Sequence, residues 1–170
     1  FQAKEHALVS QVTAIVGGRS DELPERIASL MTRLKEAEKK LAAAEQAAMV
    51  AKAAEVVDSA ERVGGYLLAS ANLGSVGSAD ALRSLVLDVR QRLGEGEPAV
   101  VAVGGVSGER PLVIVATNGA ARDLGAKAGD LVRVAAKTLG GGGGGKPDLA
   151  QGGGQDAAAL DEALRALSHA

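Results

Sequence analysis

Apolar positions recur at Phe1, Leu8, Val12 and Ile15, a helical stripe that predicts a first helix over residues 1–16. Gly17-Gly18 stops it, and Ser20 or Asp21 can cap the next helix, with Pro24 in its first turn. In that second segment Ile27, Leu30, Leu34, Ala37, Leu41, Ala44, Ala48 and Ala51 step alternately by three and four, the heptad signature, until Glu55 breaks the series. At 1.5 Å per residue the second helix would be roughly 50 Å long and the first about 25 Å, so a hairpin covers only half of the seam. In a parallel self-pair Arg33 would face Glu38 and Lys40 would face Glu45, whereas an antiparallel one brings like charges together. The seam is open to three readings: a spacer helix held by alanine propensity, pairing with a second copy, or a different partner. A homodimer would rest on Ile27, Leu30, Leu34 and Leu41.

Past Ser59-Ala60 the pattern shortens. Glu61–Val63, Gly64-Gly65 and Tyr66–Ala71 read as strand, turn and strand. Ser78 caps a helix to Leu93 that Gly94 closes, with a stripe of Leu82, Leu85, Val86, Val89 and Leu93. Ala99–Val103 and Leu112–Ala116 are nearly all-apolar runs joined through Ser107-Gly108-Glu109-Arg110, which predicts a hairpin buried on both faces or nearly so. Asn118 caps a short helix, Lys127–Leu139 forms another, and Asp156 caps the last, through Leu167. The outline is ββ-α-ββ-α-α. The expected class is α/β: a helical hairpin with a coiled-coil-like long helix over residues 1–58, then a small α/β domain with a mixed sheet over 59–170.

Composition narrows the chemistry. Only Phe1 and Tyr66 are aromatic, so RNA bases could not be stacked as single-strand readers stack them, and any RNA contact should be to shape, backbone or a base-pair face. Net charge is −2, which gives no nucleic-acid signal, although Arg133, Lys137 and Lys146 lie between Leu131 and Pro147 with no acid among them. The absence of cysteine excludes disulfides and thiolate metal sites and fits a cytosolic protein. No apolar run reaches transmembrane length and no signal peptide is visible, so no membrane partner is expected. The two histidines, His6 and His169, lie near opposite ends, and no HExxH, GxSxG or carboxylate cluster is present. No catalytic residue and no metal site is therefore expected. Because the chain opens on Phe1 within a helical pattern, it is expected to be part of something longer.

One stretch does not fit a plain scaffold. Gly140–Gly154 reads GGGGGGKPDLAQGGG. Ordering each glycine costs roughly 1–2 kcal/mol of backbone entropy with no side chain to offset it. Such a run persists where φ must be positive or where something approaches the backbone closely. A flexible linker is the alternative, but the run lacks serine and its centre is chemically specific. Lys146 is a cation, Pro147 fixes φ, and Gln151 both donates and accepts. Exposed consecutive N–H groups would form a nest for anions, with phosphate the natural ligand. It is no P-loop, because Pro147 stands where Ser or Thr is required.

This motif, with the QDAAALDEAL that follows it, resembles the C-terminal domain of bacterial alanyl-tRNA synthetases, related to the DHH-associated domain of a phosphoesterase superfamily. The resemblance covers the whole chain. In the phosphoesterase relatives a histidine follows the glycines, and here Lys146-Pro147-Asp148 stands instead, which favours the synthetase branch. The resemblance implies binding of the tRNA(Ala) elbow and support of dimerisation. It also implies upstream charging and editing domains in the same chain that use ATP, magnesium and zinc. The implied RNA-binding positions are Gly140, Gly141, Gly142, Gly143, Gly144, Gly145, Lys146, Pro147, Asp148, Gln151, Gly152 and Gly153, with Arg133 and Lys137 nearby. Two rival readings stand beside it: the substrate-binding domain of a DHH-type phosphoesterase or nuclease, and a purely structural coiled-coil module. A glycine surface against RNA also carries an expectation: Gly142→Val and Gly143→Val should each weaken tRNA binding and leave the body folded.

Overall fold

The computed structural model describes residues 2–170; Phe1, placed on the first stripe, lies outside them. Two helices come first, α1 (Gln2–Val16) and α2 (Leu23–Asp58), with Gly17 and Gly18 at the break between them. Ser20–Glu22 wind into a 3₁₀ turn that feeds α2, and the capping contact comes from Glu22, whose carboxylate accepts from the Arg19 N–H at 3.4 Å. No residue of α1 is buried. The seam of α2 is equally open, with Ile27 39% exposed, Leu30 44%, Leu34 59% and Leu41 60%. The chain divides into two compact units inside α2, between Ala48 and Met49, and not at its end near residue 58. The reason is packing: Ala53 and Val56, on the last turns of α2, are buried in the core of the sheet unit.

That unit is built on one six-stranded sheet in the order β1-β2-β3-β4-β6-β5. Its strands are β1 (Glu61–Val63), β2 (Tyr66–Ser75), β3 (Ala99–Ser107), β4 (Arg110–Thr117), β5 (Gly142–Gly145) and β6 (Leu149–Gly153). The sheet is mixed: β2 and β3 run parallel across the helical crossover α3 (Ala79–Leu93), and every other pair is antiparallel. Three further helices, α4 (Gly119–Asp123), α5 (Ala128–Thr138) and α6 (Leu160–Ser168), complete it. The expected cap of α3 forms, with Ser78 Oγ accepting from the Ala81 N–H at 3.1 Å. Asp156 Oδ1 accepts from the Ala158 N–H at 3.2 Å and so caps a 3₁₀ turn (Ala157–Ala159) that leads into α6, not α6 itself. Asn118 does more than cap α4. It is buried, accepts from the Ala99 and Ala121 amides, and donates to the Gly94 and Glu97 carbonyls, which locks the start of β3 to the end of β4.

Strand alternation sends the two faces of the sheet into separate cores. Val101, Val103, Ile114 and Ala116 meet Leu82, Leu85, Val86 and Val89 of α3 on one face. Val100, Ala102, Val113 and Val115 meet Val132 and Ala135 of α5 and Leu160, Ala163 and Leu164 of α6 on the other. Each buried aliphatic side chain contributes about 1.5–3 kcal/mol, so a core without tryptophan or phenylalanine still holds three layers together. The strands run longer than the apolar runs alone suggested, because ladder pairing extends them into polar ends such as Ser107 and Arg110.

Two strands were not expected at all. The glycine stretch, expected to form an anion nest, is the β5–β6 hairpin at the edge of the sheet. Glycine is among the residues depleted in strands and carries no side-chain alternation, so the pairing comes from the partner strand and not from local preference.

Candidate nucleic-acid interface

The hairpin is held from one side only. β6 pairs with β4 (Leu112↔Gly153, Ile114↔Gln151, Ala116↔Leu149), and β5 pairs with β6 (Gly142↔Gly153, Gly143↔Gly152, Gly144↔Gln151, Gly145↔Ala150). Directly opposed residues share a face. Gly142, Gly144, Gln151 and Gly153 therefore lie on the α3 face with Leu112 and Ile114, and Gly143, Gly145, Ala150 and Gly152 lie on the α5 face.

The two sets of glycines have different physical reasons to be glycine. A Cβ on Gly143 would sit 2.5 Å from the Gly152 Cα and 2.9 Å from the Gln151 oxygen, and one on Gly145 would sit 2.6 Å from the Ala150 Cα. A Cβ on Gly152 would press on Ala136 at 3.1 Å and Val132 at 3.3 Å, both on α5. Gly129, in the first turn of α5, lets the helix approach the strand, since a Cβ there would lie 3.1 Å from the Gly145 oxygen. Gly141 and Gly154 would strike the Gly153 and Leu139 carbonyls respectively. By contrast, a Cβ on Gly142 or Gly144 meets nothing within 4 Å. Positive φ is no explanation either: in the whole stretch only Gly140, at φ 75°, needs it.

Two expectations are corrected here. The amides do not form a concave nest, because alternate ones are spent on the β6 ladder and the remainder point outward from an extended edge strand. And Gly143→Val cannot leave the body untouched, because its side chain would enter the β6 backbone.

The turn Lys146-Pro147-Asp148 is pinned by its carbonyls. Pro147 O accepts from Thr117 Oγ1 at 2.6 Å and from the Ala128 amide at 2.9 Å. Asp148 O accepts from the Thr117 amide at 3.0 Å and from Arg90 Nη1 at 3.1 Å. Lys146 is exposed beside it and forms no ion pair among the described residues. The ribbon is thus a rigid edge with a cation at its tip, not a linker.

Of the cations picked out in sequence, only Lys146 belongs to the ribbon itself. Arg133 and Lys137 are exposed on α5, the helix that covers the opposite face through Val132 and Ala136. Arg133 is also engaged, in an ion pair with Asp130 at 3.0 Å, one residue outside the acid-free window. The structure supplies other cations instead. Arg83 Nη2 of α3 donates to Gln151 Oε1 at 3.0 Å. Arg110, at the start of β4, is on the α3 face by alternation with Leu112 and Ile114. No local signal marks Arg83, and Arg110 was legible only as a turn residue. A cleft of about 490 Å³, lined by Arg110, Pro111, Leu112, Gly141, Gly142 and Gln151 among others, opens at this end of the sheet.

A family model described as the DHHA1 domain matches residues 64–170. The chain is 53% identical over 171 aligned positions to the alanine–tRNA ligase of Bifidobacterium longum, covering 99% of this chain and 19% of that protein. It is 52% identical over 167 positions to that of Streptomyces avermitilis, covering 98% and 19%. The chain therefore spans about a fifth of the length of these curated relatives. Among solved structures, the C-Ala domain from Aquifex aeolicus alanyl-tRNA synthetase superposes with a TM-score of 0.58 at 31% identity, over 65% of this chain and 95% of that one. A DHH domain from a member of the s1p family of ribosomal proteins shares the fold, with a TM-score of 0.52 at 16% identity.

Proposed function

Since the chain belongs to the DHHA1 family, we propose that it acts as the tRNA-holding part of an alanine–tRNA ligase, gripping the elbow of tRNA(Ala) for charging and editing sites elsewhere in the same polypeptide. One observation supports this above the others: Gly142 and Gly144 leave a side-chain-free surface that neither φ nor packing demands. Such a surface is explained if something flat and rigid must lie against it. A terminal base pair at the corner of a folded RNA has that shape, and the scarcity of aromatic residues in the sequence disfavours splayed single strands. Lys146 at the tip adds a phosphate contact, which makes binding salt-dependent.

In this reading the chemistry belongs to the rest of the ligase, where ATP, magnesium and zinc would act, in the cytoplasm. Among the described residues no three His, Asp or Glu side chains converge where a metal could sit, so no step through zinc is derived for these residues. No helix among them is long and apolar enough to cross a membrane.

The test is binding of a tRNA(Ala) transcript to the chain and to its Gly142→Val and Gly144→Val variants, with circular dichroism as the folding control. Both variants should stay folded and bind tRNA at least tenfold more weakly. Unchanged affinity in both would remove the glycine face from the reading.

A homodimer through α2 is the second part of the proposal. It is supported by the open seam of Ile27, Leu30, Leu34 and Leu41 and by the charge pattern that favours a parallel pair. Alanine fills the remaining seam positions, so little area is buried per turn and the association should be weak. Sedimentation at high micromolar concentration checks it, and a monomer there would refute it for this chain.

A further inference from the structure

The fold does not account for the two arginines at the rim of the glycine face. Arg110 is exposed and has no side-chain hydrogen bond or ion pair among the described residues. Arg83 is exposed, forms no ion pair, and makes its one side-chain hydrogen bond to a neutral amide, Gln151 Oε1. Arg90 differs from both: it is half-buried and spent on the Asp148 carbonyl that fixes the turn. Arg83 reaches the face from α3, while Arg110 stands on it two residues before Leu112. The open glycines Gly142 and Gly144, on β5, lie one strand out from Gln151, where Arg83 ends, and two strands out from Arg110.

We propose that Arg83 and Arg110 bracket the glycine face as phosphate-contacting residues, so that RNA is held on the α3 side of the ribbon and not on the Arg133–Lys137 side of α5. The proposal rests on the tRNA reading above and adds the side of approach and the groups that grip. Guanidinium groups match phosphate oxygens in a bidentate fork, and such bonds are shorter and roughly twice as strong as neutral ones. Arg83 therefore gains by exchanging the Gln151 amide for a phosphate. The exchange releases the Gln151 side chain, a donor and acceptor pair, toward a 2′-hydroxyl or a base edge beside the platform. Arg133 stands on the α5 side instead, beside the Asp130 carboxylate, which partly offsets its charge.

The experiment is a salt titration of tRNA(Ala) binding for the wild-type chain, Arg83→Ala, Arg110→Ala, the double variant, Arg83→Lys and Arg133→Ala. Thermal melts serve as the folding control, and Gly142→Val as the marker of the face itself. Arg83→Ala and Arg110→Ala should each weaken binding roughly tenfold and lower the salt slope by about one, and the double variant by about two. Arg83→Lys should keep the slope while losing part of the affinity, because the charge stays and the fork goes. Arg133→Ala should bind as wild type. If both arginine variants keep wild-type affinity and slope while Gly142→Val loses binding, the bracket is wrong and the tRNA reading survives. If Gly142→Val also binds normally, the glycine face leaves the reading too, whereas a wild-type chain that does not bind tRNA(Ala) would overturn the tRNA reading itself. A loss in Arg133→Ala as large as in Arg83→Ala would equally overturn the proposal, because it would mean diffuse attraction without a preferred side.

Discussion

The two faces of the β5–β6 ribbon are built from the same residue for opposite reasons. On the α5 face, Gly143, Gly145 and Gly152 are glycine because neighbouring backbone and α5 leave no room for a Cβ. On the α3 face a Cβ on Gly153, on β6, would still meet the Pro111 oxygen at 2.8 Å, but Gly142 and Gly144 on the edge strand have room to spare. Glycine in a strand sacrifices entropy and packing, so the first set is offset by close approach within the fold. The second set has no such offset in the isolated chain. A run that reads as one uniform motif is therefore two, one serving the fold and the other free to serve a ligand.

Substitutions can break this comparison, and the largest effect should come from the packed side. Gly143→Val drives a side chain into the Gly152 Cα and the Gln151 carbonyl, so the hairpin must separate or shift. Overpacking of this kind costs about 1–3 kcal/mol or more. A drop in melting temperature, with tRNA binding lost in proportion to the unfolded fraction, is expected. A melt like that of wild type would show that the two faces are not distinct.

A single Asp at the α2 seam should come next in size. Leu34→Asp in the proposed dimer removes apolar burial and strands a charge between helices, costing on the order of 1–2 kcal/mol of association at so thin a seam. Sedimentation should then report only monomer, while the sheet unit, which begins at Met49, keeps its melting profile.

The open side gives a smaller effect of opposite sign on stability. Gly142→Ala and Gly144→Ala should each raise stability by about 0.4–1 kcal/mol, because alanine narrows the unfolded ensemble and its Cβ meets nothing. The same variants should weaken tRNA binding. Stabilisation together with weaker binding is an outcome that neither a linker nor a purely structural ribbon gives. Smallest of all, Lys146→Ala should cost a modest amount of affinity and flatten the salt dependence by about one unit of slope, with no change in the melt, since the turn is pinned by the carbonyls of Pro147 and Asp148.

The long helix shows a similar division along one element. Its heptad seam is exposed from Ile27 to Leu41, yet Ala53 and Val56, a few turns later, are buried against the sheet. Glu55, which ends the three-four alternation, lies between Ala53 and Val56, where the helix enters the core of the sheet unit.

What the sequence determined by itself was whatever side chains encode within a few turns. Periodicity placed α3 and α5, Ser78 marked the cap of α3, Asn118 that of α4 and Asp156 the turn that leads into α6, and β-branched runs placed the two central strands. The glycine motif, by its resemblance, also pointed to the family. Tertiary structure alone decided the rest. Glycine has no side chain to alternate, so only the ladder with Leu149–Gly153 could show that Gly142–Gly145 is a strand and which of its residues face out. Charge spacing along the chain suggested Arg133 and Lys137, but α5 carries them away from the open face. Arg83 reaches Gln151 across 68 positions of sequence, a contact that no local pattern contains because it depends on α3 lying over β3 and β4, within side-chain reach of β6.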